Sequence, residues 1–394
     1  MKYLLSKNLL EWFEMELKRR GIQLTEEDLR EFIKSLEEKE WISLNPQLYR
    51  ELMEDAAKVL ENEIKQASED LSKVEKEFRE YIKVEEVKFQ ENLKPLVAIG
   101  SDASRCLMPI LISRAALISG IALRYPHETK PSILKEAISI PPSEMSYSVF
   151  RFYVSAKCES LIPLSVQHQL LKYGASEVVV IDGPLSLSQW YREVPSKVEK
   201  AVNAINELLD ARGNLMKICH EMNIPVIGVV KRSRSRYFHN YLGLANKSHY
   251  SDQYIFHQML NYAQRTGSIS ITQAIIKWRS GVKAKDLLIT KLPYEIYGFY
   301  IKTSRNPLTP PVRVEYPEYL RDMEDWIASY VLSTAVQTYD PEFDGLPVIQ
   351  CLAHKNAKIT SKIMWEIYKE RLYEISRKGG DLRLLVPMKG YSPK

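Results

Sequence analysis

The 394-residue chain is 45% hydrophobic and 27% charged, the balance of a soluble globular protein. Its four cysteines (Cys106, Cys158, Cys219, Cys351) lie far apart with no CxxC pair, which argues against a disulfide framework and against zinc of the usual spacing. The net charge of +5 is uneven: residues 1–90 carry 16 Lys+Arg against 22 Asp+Glu (−6) and the rest 39 against 28 (+11), so the main body suits a polyanionic partner.

In chain order, the start MKYLLSKNLLEWFEMELKRR is amphipathic and lacks the apolar block of a signal peptide. No run reaches bilayer length, so an intracellular, cytoplasmic location is expected. Residues 1–90 read as helix throughout, a helical region ahead of a main domain over 91–394. Thr25 and Asp28 form a capping-box start, and Trp41–Pro46 marks a turn. Leu60, Ile64, Ala67, Leu71, Val74, Phe78 and Tyr81 then recur at alternating spacings of four and three. Such a seam serves equally an amphipathic helix laid on the main domain or a coiled-coil arm for a second copy or partner.

From residue 95 strands and helices alternate, which predicts an α/β sheet covered by helices. Strand Leu96–Ile99 and Gly100-Ser101 deliver Asp102 at the strand's exit, before an apolar segment (107–119) and an edge strand near 121–124. A Pro-rich loop over 126–142 follows, then a helix over 150–173 that Pro163 kinks or divides and Gly174 ends. Strand Val178–Ile181 delivers Asp182 ahead of Gly183-Pro184. A helix over 194–223, a buried strand over 224–230, strands over 296–302 and 312–316, and helices over 326–338 and 355–376 complete the pattern.

Two apolar strands that each end in an Asp fix two carboxylates rigidly, the arrangement with which two divalent metals grip a phosphodiester. Either Asp alone reads equally well as a turn or cap residue. Glu159, between Cys158 and Leu161, is a candidate third ligand or a surface Glu. The third strand runs into Lys231, Arg232, Arg234 and Arg236, interleaved with Ser233 and Ser235 and followed by Tyr237. Cations among hydroxyls and aromatics suit phosphate contacts and base stacking, where a solvated basic loop is the plain alternative. This loop leaves the sheet at a strand end, where open α/β folds place ligands. His354, delivered by a short apolar segment to the start of a helix, is placed to bind metal or contact a phosphate, or is structural. Walker A, GxGxxG, GxSxG and HExxH patterns do not occur, which argues against P-loop, dinucleotide, common serine-hydrolase and zincin chemistry.

In order, IGSDAS, VVVIDGPLS, PVIGVVKRSRSRYF, YIKTSRNPLTPPVRVEYP and GLPVIQCLAHKNAKI resemble the NurA nuclease family of archaea, over roughly residues 95–360. The resemblance implies an RNase H-like mixed sheet with helices on both faces and says little about the N-terminal helical extension. It implies a manganese- or magnesium-dependent DNA nuclease with two ions per site, a 5′–3′ exonuclease and single-strand endonuclease in double-strand-break resection and homologous recombination. It also implies a homodimer working beside the hexameric HerA ATPase. By position, Asp102 and Asp182 match the two strand ligands, Glu159 the helix carboxylate, His354 the C-terminal histidine, and Lys231 the lysine that neutralises phosphate charge. Asp252 matches an Asp of structural or secondary role, and Tyr339 falls near the site. A non-catalytic DNA-end clamp for a partner ATPase accounts for the heptads and basic loop equally well, though it would not need the two strand-end Asp residues. An RNA-directed RNase H-like enzyme would share the same ligands.

Overall fold

The computed structural model describes residues 46–89, 96–109, 113–126, 130–187, 198–244, 249–278, 288–340 and 342–358, with isolated positions 370, 371, 374 and 378. The capping box at Thr25 and Asp28 and most of the helix expected over 355–376 lie outside the described residues. The chain divides into two compact units, Met1–Lys73 and Val74–Lys394. One helix, α1 (Pro46–Tyr81), holds all the heptad positions. Its last turns belong to the second unit, where Val74 and Phe78 are buried and Phe78 meets the rings of His239 and Phe256 at 4.7 and 5.8 Å. Leu60 and Tyr81 of the same series are exposed. The expectation of helix up to residue 90 fails at Val84–Glu86, strand β1, which pairs antiparallel with Gln264–Thr266.

A meander opens the main sheet: β2 (Ala98–Pro109), β3 (Arg114–Tyr125) and β4 (Ser132–Ile140), each antiparallel to the next. Two expectations change here. The apolar segment over 107–119 is the end of β2 and the start of β3, and the supposed Pro-rich loop contains β4. Its prolines flank that strand, leaving a Pro-free core in which Ile138 and Ile140 are buried with Ala116, Ile118, Phe150 and Val154. Helix α2 (Tyr147–Tyr173) runs unbroken through Pro163, capped by the Ser146 hydroxyl and stopped at Gly174, whose N–H donates to Leu170 O at 2.8 Å.

Strands β5 (Val178–Asp182) and β6 (Val226–Val230), joined by α3 (Glu199–Glu221), lie parallel to β2 at the centre of the sheet. Their β-branched runs are buried on both faces, as parallel strands between helical layers must be. Short helices α4 (Tyr237–Leu242) and α5 (Asp252–Met259), strands β7 (Gln264–Thr266) and β8 (Ile269–Ser270), and α6 (Ile271–Trp278) lead to antiparallel β9 (Ile296–Ile301) and β10 (Val312–Pro317). Helices α7 (Glu324–Ser333) and α8 (Val348–Ala357) close the domain. The strand order is β1-β7-β9-β10-β6-β5-β2-β3-β4, with β8 on β9.

Side-chain alternation along β2 assigns the two helical layers. Ser101 donates to Ile162 O of α2, whereas a Cβ on the adjacent Gly100 would lie 2.5 Å from Ile349 O of α8. Helices thus cover both faces of an RNase H-like mixed sheet, with α2 opposite α8. Among the described residues no helix is long and apolar enough to cross a membrane.

Candidate metal centre

Register brings the two Asp residues together. β5 pairs with β2 only from Ala98↔Val178 to Ser101↔Ile181, so the next residues, Asp102 and Asp182, sit side by side on the α8 face. Asp102 is not at the end of its strand, since β2 continues to Pro109 beside β3; it stands where the parallel pairing stops. Asp182 does end β5, because Gly183 adopts φ 119°, a backbone region open essentially to glycine.

Helix α8 supplies the third member. His354 lies in its last turn, not at the helix start expected from the sequence, and Nδ1 stands 2.7 Å from Asp102 Oδ2 and 3.2 Å from Asp182 Oδ2. One ligand atom from each of Asp102, Asp182 and His354 lies within 4.8 Å of the other two. Lys231, just beyond β6, donates to Asp182 Oδ2 at 2.9 Å, and its Nζ lies 3.2 Å from His354 Nδ1. On the far side of the imidazole, Nε2 is 2.9 Å from Glu342 Oε1, and Lys358 holds that carboxylate at 3.2 and 3.3 Å. One turn before His354, Gln350 donates through Nε2 to Asp182 Oδ1 (2.9 Å) and to Val229 O (3.0 Å).

The electrostatics separate the two carboxylates. Burial pushes the Asp102 carboxyl above the ordinary carboxylate value, against its hydrogen bond from His354 and with the Asp182 charge adding to the rise. Burial acts on Asp182 in the same sense, but bonds from His354, Lys231 and Gln350 together with the lysine charge outweigh it and hold that group below the ordinary value. Hydrogen bonds to Asp102 and then Asp182 push His354 up to about 10, against burial. Two buried carboxyls, an imidazole and an ammonium in mutual contact concentrate charge at one point of the sheet.

The other residues singled out from sequence distribute as follows. Glu159 belongs to α2, on the opposite layer, and is paired with the buried Arg212 at 2.8 Å; the structure leaves it out of the cluster. Ser233 and Ser235 point inward to the buried Arg313, so Arg232 and Arg234, on the alternate positions, are exposed. Arg236 is half-buried. Tyr237 is only 2% exposed, with the Arg313 guanidinium 5.0 Å from its ring centroid; no base stacks there, and that expectation is corrected. Asp252 is buried, its carboxylate 2.6 Å from His239 Nδ1 and accepting from the N–H groups of Phe238 and His239, a brace for α4. Tyr339 stands fully exposed in the loop that leads to Glu342. Sequence reading missed Gln350 and Glu342. Gln350 carries a signal, since it lies at i−4 from His354 on one helical face; Glu342 sits in a loop without periodicity and carries none.

A family model described as the NurA domain matches residues 32–359. No curated protein matches the chain. Among solved structures, the NurA nuclease from Sulfolobus solfataricus superposes with a TM-score of 0.58 at 13% identity, covering 85% of this chain and 98% of its own. A NurA bound to dAMP and manganese gives a TM-score of 0.51 at 11% identity, covering 79% of this chain and 94% of its own. At such identities the superpositions speak for the fold.

Proposed function

Since the chain belongs to the NurA family, and by that membership is a metal-dependent nuclease, we propose that it cleaves DNA with Asp102, Asp182 and His354 holding the divalent cation. The observation that carries this reading is the convergence of those three ligand atoms within 4.8 Å, from two adjacent strands and one helix. Two carboxylate oxygens suit Mn²⁺ or Mg²⁺, and the imidazole nitrogen favours Mn²⁺, the softer of the two. Gln350, bonded to Asp182, keeps a buried carbonyl oxygen without a hydrogen-bond partner, as a site built around an additional positive group would. The relative bound to dAMP and manganese favours Mn²⁺. Two ions per site remain part of the proposal.

Bound there, a divalent cation supplies positive charge that acidifies water and draws charge from phosphate oxygens. The chain's own residues do the rest. Asp102 and Asp182, on paired strands, hold their carboxylates without side-chain search. Lys231, at 22% side-chain exposure beside Asp182, offsets acidic charge that would otherwise repel a polyanion and is placed to meet a phosphate oxygen. Arg232 and Arg234 extend the same loop into solvent, where they steer and position a backbone. The finer reading follows the family resemblance: 5′–3′ exonuclease and single-strand endonuclease action during end resection in homologous recombination, as a cytoplasmic homodimer beside a HerA-type hexameric ATPase.

The test is cleavage of end-labelled linear single- and double-stranded DNA, with a matching RNA, in Mn²⁺, Mg²⁺ or EDTA. Metal-dependent cutting of DNA by wild type, lost in Asp102→Ala and in Asp182→Ala with the fold intact, is expected. Undiminished cutting by either folded variant refutes the site. Tight DNA binding without cutting by wild type supports a clamp instead.

A further inference from the structure

His354 is attached to α8 only through its Cβ, and rotation about the bond to its ring is soft. A ligand to a metal needs that rotation fixed and one nitrogen kept free of its proton. The structure supplies fixing groups at the far edge of the ring. Glu342 Oε1 accepts from Nε2 at 2.9 Å, and the Phe343 ring closes one side edge-on at 5.9 Å. Glu342 is itself held in two ways. Lys358 donates to both its oxygens, and Asp340 Oδ1 accepts the Glu342 backbone N–H at 2.9 Å. Asp344 then ties the loop to the β9–β10 turn, accepting from the Ser304 and Thr309 hydroxyls and from Thr338 N–H. A long-range chain of hydrogen bonds thus ends on one imidazole nitrogen, and nothing in the packing of the core requires it, since Glu342 keeps 32% side-chain exposure.

We propose that Glu342 is a positioning residue of the metal centre: by accepting from Nε2 it locks the His354 ring and keeps Nδ1 turned to the cation shared with Asp102 and Asp182. An ionised carboxylate offers only acceptors, so the ring proton is held on Nε2 and the lone pair is left on Nδ1. Lys358 holds the carboxylate oriented through bonds to both of its oxygens. This assignment rests on the nuclease reading above.

Mn²⁺ titrated into the full chain, with free ion followed by its electron paramagnetic resonance signal, tests it. Pulsed measurements of ¹⁴N coupling report in addition whether an imidazole ligates the ion, with His354→Ala as reference. Glu342→Ala is expected to weaken Mn²⁺ binding about 10- to 100-fold and to diminish the ¹⁴N coupling. Glu342→Gln, which keeps an acceptor oxygen, should recover part of both. Should Glu342→Ala fail to fold, Glu342→Met keeps the side chain's reach without an acceptor and carries the test. Wild-type affinity and ¹⁴N coupling in the folded Ala or Met variant overturn the assignment of Glu342 alone. A wild-type chain that binds no Mn²⁺ overturns the nuclease reading beneath it.

Discussion

Gly100 is the place where a single methyl group would disturb the proposed site without touching any of its residues. A Cβ built there lies 2.5 Å from Ile349 O, 2.7 Å from Ile349 Cγ1 and 3.0 Å from Ile349 C. Two of these are backbone atoms of α8, so no side chain can swing aside. Reaching the 3.4 Å at which ordinary contact begins asks α8 to retreat by about 0.9 Å from its closest atom. That helix carries Gln350 and His354, whereas Asp102 stays with β2. Overpacking of this kind costs about 1–3 kcal/mol, and a displacement near 1 Å at a reacting centre costs roughly 10²-fold in rate. Gly100→Ala should therefore unfold at moderately lower denaturant yet lose about two orders of magnitude in cleavage. Gly120→Ala is the control: its Cβ would lie 2.5 Å from Leu161 Cβ and 2.8 Å from Leu161 O, so it pushes on α2 from the other face. Comparable destabilisation with activity largely kept is expected there. Equal losses of activity in both variants would refute the division of labour between the helices and would return Glu159, on α2, to the catalytic group.

Other expectations concern charge and the basic loop. Metal-free His354 titrates at about 10, above its ordinary value of 6.5, so its contribution to stability is full below pH 6.5 and fades as pH rises toward 10. Melting temperature in EDTA should accordingly fall across that window and flatten with saturating Mn²⁺, which displaces the same proton; a pH-independent metal-free melt would contradict the His354 contacts. Arg232→Ala with Arg234→Ala, both exposed, should leave the melt unchanged and lower the salt slope of single-stranded DNA binding by about 0.7 for each phosphate these arginines neutralise. An unaltered slope would remove this loop from the DNA path. Tyr237→Ala should cost about 3–5 kcal/mol in chemical denaturation, as removal of a buried aromatic does; near-wild-type stability with weakened DNA binding would restore its stacking role.

Much of the central fold was legible because local pattern and burial coincide. Val178–Ile181 and Val226–Val230 are apolar runs buried on both faces, and runs of this length and β-branched composition read as buried strands before any contact is known. The helix stop at Gly174 was equally plain, since the cap chemistry is local. Where expectation failed, a distant partner had overruled the local signal. β2 runs past Asp102 through Ala103, Ser104 and Arg105 because β3 offers a backbone ladder for all twelve of its positions. Pro163 is carried inside α2 by a helix in which Leu161, Ile162, Ser165 and Val166 around it are buried. Tyr237 follows a string of cations yet is buried beneath Arg313, which a charge pattern cannot foretell.

The sequence by itself determined the two strand-borne carboxylates, the lysine after the third strand and the α8 histidine, because each sits at the end of a recognisable apolar segment or in a block resembling the NurA family. Only the tertiary structure decided how they meet. The Ser101↔Ile181 register sets Asp102 beside Asp182, and side-chain alternation turns both toward α8 and away from the layer that holds Glu159. Gln350 and Glu342 joined the group only through folding, one by helical phase and one by a loop braced from a distant turn. Register and the choice of sheet face depend on which strands pair across the chain, and no local stretch of residues encodes that pairing.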